Sequence, residues 1–371
     1  MMTKFTLSTK PFSSALDLAV LKSISDNDSI GILAQLTVDG PELRVNFQYP
    51  RILTELRFKG MPSDDKAAAT VFVKNTVLNQ LVATLESNTV DIEFTDGGIV
   101  IRSGKSNFSI PKLTDETEMS LNRPDVDSYK ENAHKLDTAA WKFVKDNLTH
   151  VLVSCFENPV YNYVWVSEAG DTLSGDISDS LFAHAIKSDL KQTCLLSTTA
   201  IDILSIIPDN ATIKQKDTDY LINVKGEGYE YITELKPQHE SDPDTGDYNS
   251  AIILGVMKNP ENYLSVNPEA VRKVLNQAAL LSTVSDDVIE ITLSSECMVL
   301  KNNNVDCNIE GKINGQLDTR SCSFTTKHIK QLLKPFSGQS VNIGMLVNEE
   351  DATVGIILFD GIVTMVVGGV A

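Results

Sequence analysis

The chain has 371 residues, enough for two or three domains, with 42% hydrophobic and 22% charged residues, the composition of a water-soluble globular protein. Its formal net charge of −18 excludes bulk attraction to nucleic acid unless positive charge is gathered on one face. Five cysteines (Cys155, Cys194, Cys297, Cys307, Cys322) without a Cys-x-x-Cys pair fit a reduced cytoplasmic interior with idle thiols.

The N-terminus, Thr3 to Ser8, alternates polar and apolar like a strand and lacks the apolar core of a signal peptide. No run approaches the roughly 20 apolar residues of a membrane span, so no membrane contact is expected. A helical stretch follows over 10–24, with Lys10-Pro11 in its first turn, where proline is tolerated. The next helix, 74–86, carries Leu78, Leu81, Val82 and Leu85 on one stripe.

Strands 90–95 and 99–103 flank the turn Asp96-Gly97-Gly98. Gly104-Lys105-Ser106 imitates the end of a phosphate-binding loop. That motif needs a glycine where Ile99 stands and a helix where Asn107–Ile110 reads as a strand, so a β-turn is the better account. A linker, Asn122 to Ser128, closes the first third.

The middle third opens a helical stretch over 135–149 and a second over 198–207, cut short by Pro208. Strands 211–215 and 220–224 follow, then the polar loop 238–247. The last third begins near Lys258-Asn259-Pro260. It holds helices 267–281 and 326–336, with strands 288–293, 298–300, 341–346 and 353–358.

These thirds are copies of one another. The segments opening at Val73, Leu196 and Phe324 recur at a period of about 125 residues. Ile329, Leu332, Leu333 and Phe336 repeat the stripe of Leu78, Leu81, Val82 and Leu85 at the same offset. The pattern predicts three similar domains, 1–125, 126–256 and 257–371, each of two strand–helix–strand units.

The five histidines (His134, His150, His184, His239, His328) are scattered, so neither a metal site nor His-based nucleophilic chemistry is expected. The abundant carboxylates read as solvated surface. No catalytic constellation, cofactor or metal is predicted, and the chain is not expected to be an enzyme. Charge, however, is sorted. The six helical stretches hold eleven basic and six acidic residues, a balance of +5, leaving −23 for the remainder. Lysine's helix propensity explains part of this. If the helices line one surface, that surface attracts phosphate without reading bases. Its candidate residues are Lys10, Lys22, Lys74, Lys142, Lys145, Arg272, Lys273, Lys327, Lys330 and Lys334.

At this point the chain resembles a known family, the bacterial-type DNA polymerase sliding clamp (β clamp, DNA polymerase III beta subunit). Ile101-Arg102-Ser103-Gly104-Lys105-Ser106-Asn107-Phe108-Ser109-Ile110-Pro111 is similar to the family's Ser-Gly-Lys-Ser-x-Phe-Ser-Leu-Pro segment. Lys258-Asn259-Pro260, Ala278 to Ser282 with Ile289 to Ser294, and Glu310 to Gly315 resemble the family's third domain and the junction into it. The resemblance spans essentially the whole chain.

It implies an α+β fold of three tandem DNA-clamp domains, each two β-α-β-β-β units, helices inside and sheets outside, forming half of a ring. Two chains close head to tail as a homodimer around double-stranded DNA. The implied partners are that DNA, a DNA polymerase, a clamp loader and clamp-binding peptide motifs. A peptide pocket is implied at Val164, Ser178, Ala183, Val354, Val363 and Met365; core packing accounts for Val164 and Val354 nearly as well. Two segments depart from the family. Ser178-Asp179-Ser180-Leu181-Phe182-Ala183 replaces its Thr-Asp-Gly, basic pair and Leu, and Met365 to Ala371 replaces its terminal Met-Pro-Met-Arg-Leu. Such divergence fits a clamp carried by a virus or mobile element with its own polymerase. The alternative is a clamp-like interaction scaffold that does not encircle DNA.

Overall fold

A computed structural model describes residues 3–20, 32–63, 68–113, 121–129, 134–149, 151, 163–176, 181–186, 190, 193–238, 250–281 and 287–370. Among these, seven helices occur: α1 (Thr9–Ala19), α2 (Asn75–Ala83), α3 (Thr138–Asn147), α4 (Thr198–Ile206), α5 (Ser250–Val256), α6 (Pro268–Leu281) and α7 (Thr326–Leu333). Apart from α5, each helix stands between one preceding strand and three strands that follow it, the two-residue strand Met61–Pro62 being additional after α1. The chain is thus an α+β fold of six β-α-β-β-β units. Six helices match the six stretches read from the sequence; α5 is additional.

The chain forms two compact units: residues 1–138 with 202–237, and residues 139–201 with 238–371. The middle sequence repeat is therefore shared between them. In the first unit a five-stranded sheet runs in the order Met61–Pro62, Thr3–Ser8, Thr89–Thr95, Gly98–Ser103, Ser106–Pro111. An eight-stranded sheet runs His134–Lys135, Thr212–Lys216, Asp219–Gly226, Tyr229–Leu235, Ile52–Lys59, Glu42–Tyr49, Leu33–Asp39, Ala68–Lys74. Its centre joins distant parts of the chain, with Tyr229 opposite Phe58 and Leu235 opposite Ile52.

The second unit has a twelve-stranded sheet. One half runs Cys194–Ser197, Tyr163–Val166, Asp171–Asp176, Leu181–Ile186, Val363–Gly368, Thr353–Phe359. The other continues Val341–Val347, Tyr263–Val266, Asp306–Asn314, Cys297–Lys301, Val288–Leu293, Arg320–Thr325. All pairings are antiparallel, and the Gly104-Lys105 turn is a two-residue hairpin closing Ser103 on Ser106. Gly104 has φ +59°, where a side chain is disfavoured.

The helices are pinned to one face of these sheets by the apolar stripes. α1 buries Phe12, Ala15, Leu16 and Ala19, and the Phe12 ring meets Phe58 edge to face at 5.1 Å. On α2, Leu78 and Val82 are buried while Leu81 and Leu85 are half-buried. On α7, Ile329, Leu332 and Leu333 are buried, as is Phe336 beyond its end. α6 begins at Pro268, and the Asn267 side chain accepts the Glu269 N–H at 2.8 Å, an N-cap of ordinary type.

The opposite sheet face is crossed by connecting segments. Residues 121–129 lie on the eight-stranded sheet away from α1. Leu121 N–H donates to Gln35 Oε1 and Asn122 N–H to Gln48 Oε1, each at 3.0 Å. Arg123 approaches Glu55 at 3.9 Å. Tyr129 then packs on Leu221 and Ile232 with Val126. In the second unit α5 does the corresponding work. Ile253 and Met257 close an apolar cluster with Trp165, Leu173, Leu195, Ile357, Phe359 and Val366. Of the polar loop 238–247, all but Gln238 lies outside the described residues.

Candidate nucleic-acid interface

The positive charge of the helices is concentrated on α6 and α7, which pack side by side. α6 buries Val271, Val274, Leu275 and Ala278, and that stripe leaves Lys273, Asn276 and Gln277 exposed. α7 has the same construction: Lys327 is exposed and Lys330 half-buried, with exposed Lys334 just beyond its last turn. Among the described residues, none of Lys273, Lys327 and Lys334 has an acidic neighbour in an ion pair.

Arg272 is placed differently. Its guanidinium donates to Leu333 O at 2.7 Å, to Phe336 O, and to the Glu269 carboxylate. It ties α6 to the C-terminal carbonyls of α7, where a cation also meets the negative end of the helix dipole. The sequence groups Arg272 with the phosphate-facing lysines; the structure directs its charge into the fold.

On α3, Lys142 is exposed and Lys145 half-buried beside the exposed Asp146. On α1, Lys10 is exposed near the start, with Asp17 on the same solvent side. Lys74 ends the strand before α2 and is half-buried. The solvent side of α2 shows Val77, Gln80 and Ala83, none charged. α4 carries Asp202 and no base. Lys22 lies outside the described residues. The seven helices together hold seven basic and four acidic side chains, a positive balance in a chain of net charge −18.

The residues expected to line a peptide pocket lie mostly on one sheet. Ala183 stands directly opposite Met365 and Ala185 opposite Val363 on the neighbouring strand. Val164 lies two strands from Ala183's strand. Val164, Ala183 and Met365 are fully buried, and Val363 is 2% exposed. Their side of the sheet is the α3 side: Ser174, the partner of Ala183, donates its hydroxyl to Leu148 O at 2.8 Å. The other side of the same strands carries Trp165, Leu173, Phe182 and Val366, the cluster under α5. Val354 is 44% exposed on the adjacent strand, and Ser178 lies outside the described residues. Sequence reasoning missed α5 and its apolar bed; the signal on offer was the apolar run around Ile253, Leu254 and Met257.

One cluster imitates a catalytic arrangement. Asp171 accepts from Ser167 Oγ at 3.0 Å, and its other oxygen meets His184 Nε2 at 3.0 Å. Serine and imidazole hold opposite oxygens of the same carboxylate, so the hydroxyl is not presented to the base as a nucleophile. Burial pushes the Cys194 thiol up to about 12, leaving it protonated and unreactive. Among the described residues no three His, Cys, Asp or Glu side chains could hold a metal ion. No helix among them is long and apolar enough to cross a membrane.

Six β-α-β-β-β units, helices on one sheet face and connecting segments on the other, define the class: this is the architecture of DNA sliding clamps. More particularly, it is the fold of bacterial DNA polymerase III beta subunits. The sliding clamp of Bacillus subtilis superposes with a TM-score of 0.74 at 17% identity, covering 100% of both chains. The beta subunit of Thermotoga maritima gives 0.76 at 13% identity, covering 100% of this chain and 99% of that one. The Caulobacter crescentus clamp gives 0.73 at 13% identity over 100% of both. No protein-family model matches the sequence, and no curated protein matches it either.

Proposed function

We propose that the chain is a sliding clamp, a processivity factor that encircles duplex DNA as a head-to-tail homodimer and tethers a DNA polymerase. The observation that carries this reading is the exposed Lys273, Lys327 and Lys334 of the α6–α7 pair in a strongly acidic chain with the clamp fold. Few, screened phosphate contacts permit sliding, whereas a tight grip would stall it. The reading retains three clamp domains, 1–125, 126–256 and 257–371. The division of the middle repeat follows from strand pairing across the proposed boundaries.

Two features support the dimer. Ser106–Pro111 ends the five-stranded sheet and, among the described residues, has no strand on its outer side; Arg320–Thr325 ends the twelve-stranded sheet, its outer side met only by the Val370 N–H at Ser323 O, 2.8 Å. Leu280 and Leu281, at the end of α6, are 85% and 59% exposed, an apolar surface that a second copy would cover. Further partners on this reading are a clamp loader and clamp-binding peptides, the latter at the sheet around Ala183 and Met365. The reading is non-enzymatic and places the chain in the cytoplasm.

The test is retention on DNA. The protein loaded on circular duplex should remain bound and be lost when the circle is cut, and its solution mass should be about twice 40.6 kDa. A strictly monomeric protein at micromolar concentration with no difference between circular and linear DNA refutes the reading. A scaffold that binds partners without encircling DNA is the second reading, favoured by the absence of bases on α2 and α4. Changing Lys142, Lys145, Lys327 and Lys330 to glutamate separates the two: a clamp loses polymerase stimulation, a scaffold keeps it.

A further inference from the structure

Asn314 is the one asparagine of the chain that is followed by glycine. Asparagine is among the chemically labile side chains, and a following glycine has no Cβ to crowd the approach of its nitrogen to the preceding side chain. The fold brings this pair to the surface. Asn314 is the last residue of strand Asp306–Asn314, opposite Tyr263, and Asn314, Gly315 and Gln316 are all exposed.

The turn holds glycine there for structural reasons. Gly315 has φ +77°, and a Cβ on it would sit 2.0 Å from Asn262 Oδ1, which accepts the Gln316 N–H at 3.1 Å. Among the described residues the Gly315 N–H meets no acceptor, so no hydrogen bond holds its proton in place. The Asn314 amide is restrained by one exposed bond, Nδ2 donating to Glu261 O at 3.0 Å. Other asparagines are placed differently. Asn46, Asn75 and Asn79 are buried. Asn302 and Asn348 each accept two backbone N–H groups with Oδ1, and a residue with a Cβ follows each.

We propose that Asn314 is a self-modification site, where the chain converts its own asparagine to aspartate and isoaspartate. Hydroxide takes the Gly315 N–H proton, and the nitrogen attacks Asn314 Cγ. The N–Cγ bond forms and the Cγ–Nδ2 bond breaks. Nδ2 leaves as ammonia with a proton from water, which restores the hydroxide. One water then opens the cyclic imide. Attack at Cγ gives aspartate; attack at the main-chain carbonyl carbon gives isoaspartate, whose chain runs through the former side chain. The reaction consumes only water. Either product removes the donor to Glu261 O and sets a carboxylate beside that carbonyl. Isoaspartate also lengthens the backbone where Gly315 passes under Asn262. The disturbance falls on Tyr263, the strand partner of Asn314, whose ring meets Phe359 edge to face at 5.1 Å beside the apolar bed of α5.

The experiment is timed incubation of the full chain, folded and in concentrated urea, in mildly alkaline and mildly acidic buffer, followed by trypsin and mass spectrometry. Cleavage after Lys312 and Arg320 isolates Ile313–Arg320, in which Asn314 is the single asparagine. In the folded chain Asn314 should gain one mass unit at least tenfold faster than any other asparagine, faster in the alkaline buffer, with both isoaspartate and aspartate formed. Asn314→Gln should block the change at that position, and Asn314→Asp should accelerate amide exchange at Tyr263. The proposal is overturned if Asn314 stays intact in the folded chain while converting in urea, or if another asparagine converts first. Formation of aspartate alone also overturns it, since that marks direct hydrolysis without the ring. Unchanged exchange at Tyr263 in Asn314→Asp overturns the coupling to the α5 bed. None of these outcomes depends on DNA or on a second chain, so failure here is distinguishable from failure of the clamp reading.

Discussion

Tyr129 donates its hydroxyl to Glu234 Oε1 at 2.8 Å, across 105 residues of sequence. The tyrosine belongs to the segment joining the first and second repeats, and the glutamate to the strand that pairs with Ile52–Lys59. Both are buried, at 5% and 4% exposure, and the ring covers Leu221 and Ile232. With the bonds of Leu121 to Gln35 and Asn122 to Gln48, this contact holds the connecting segment over the strands that it links. Removing the hydroxyl should leave a buried carboxylate short of a donor, with Lys236 at 3.5 Å as its remaining cation. Tyr129→Phe is expected to cost about 1–3 kcal/mol in urea unfolding. Glu234→Gln, which retains an acceptor for the hydroxyl, should cost less.

Asp219 lies in the same electrostatic neighbourhood and gives a pH-dependent signature. Burial raises its carboxyl above the ordinary range; Lys236 opposes this and Glu234 adds to it. A group whose folded pKa is raised favours folding at low pH, below its unfolded value near ~3.9, and loses that contribution as pH rises through the folded value. Asp219→Asn should therefore match the parent below about pH 4 and become the more stable protein toward neutral pH. Unfolding midpoints measured across that range check it, and a constant difference at all pH values contradicts it.

Arg272 makes a third case. Its guanidinium spans three acceptors on α6 and at the end of α7, a geometry that a single ammonium cannot reproduce. Arg272→Lys and Arg272→Ala should both destabilise, by about 1.5–3 kcal/mol for lost charge-assisted bonds. Amide exchange in the last turn of α7 should accelerate in both. Lys273→Ala, one residue along and exposed, should change stability by less than about 0.5 kcal/mol while weakening DNA retention.

The contrast between Arg272 and Lys273 shows how far a sequence carries such an argument. Helical period locates six helices within a few residues, because stripes such as Ile329, Leu332, Leu333 and Phe336 must face a sheet. Period does not say which acceptors a long side chain will find. α5 escaped because its apolar run is too short and too uniformly apolar to show a 3.6-residue repeat. The strand Val363–Gly368 has the related difficulty. Five of its six residues are buried, since both faces are covered, so the alternation that would assign a face is missing. Linear matching then marks positions along the strand but not the side on which each one points.

That ambiguity yields the last prediction. Ala183 and Met365 face the α3 side, while Phe182 and Val366 face α5, one residue away on the same two strands. Enlarging Ala183 to leucine should overpack a fully buried position and cost about 1–3 kcal/mol. Met365→Ala should cost about 2–5 kcal/mol, whereas Val354→Ala on an exposed site should be nearly neutral. Phe182 is half-buried, so Phe182→Ser should spare more of the stability while loosening α5, read as faster amide exchange over Ser250–Val256. If clamp-binding peptides use the α5 side, Phe182→Ser abolishes their binding in a folded protein, and Ala183→Leu affects it only through stability. The opposite pattern, with peptide binding lost in a fully folded Ala183 variant and retained in Phe182→Ser, would place the peptide against the α3 side.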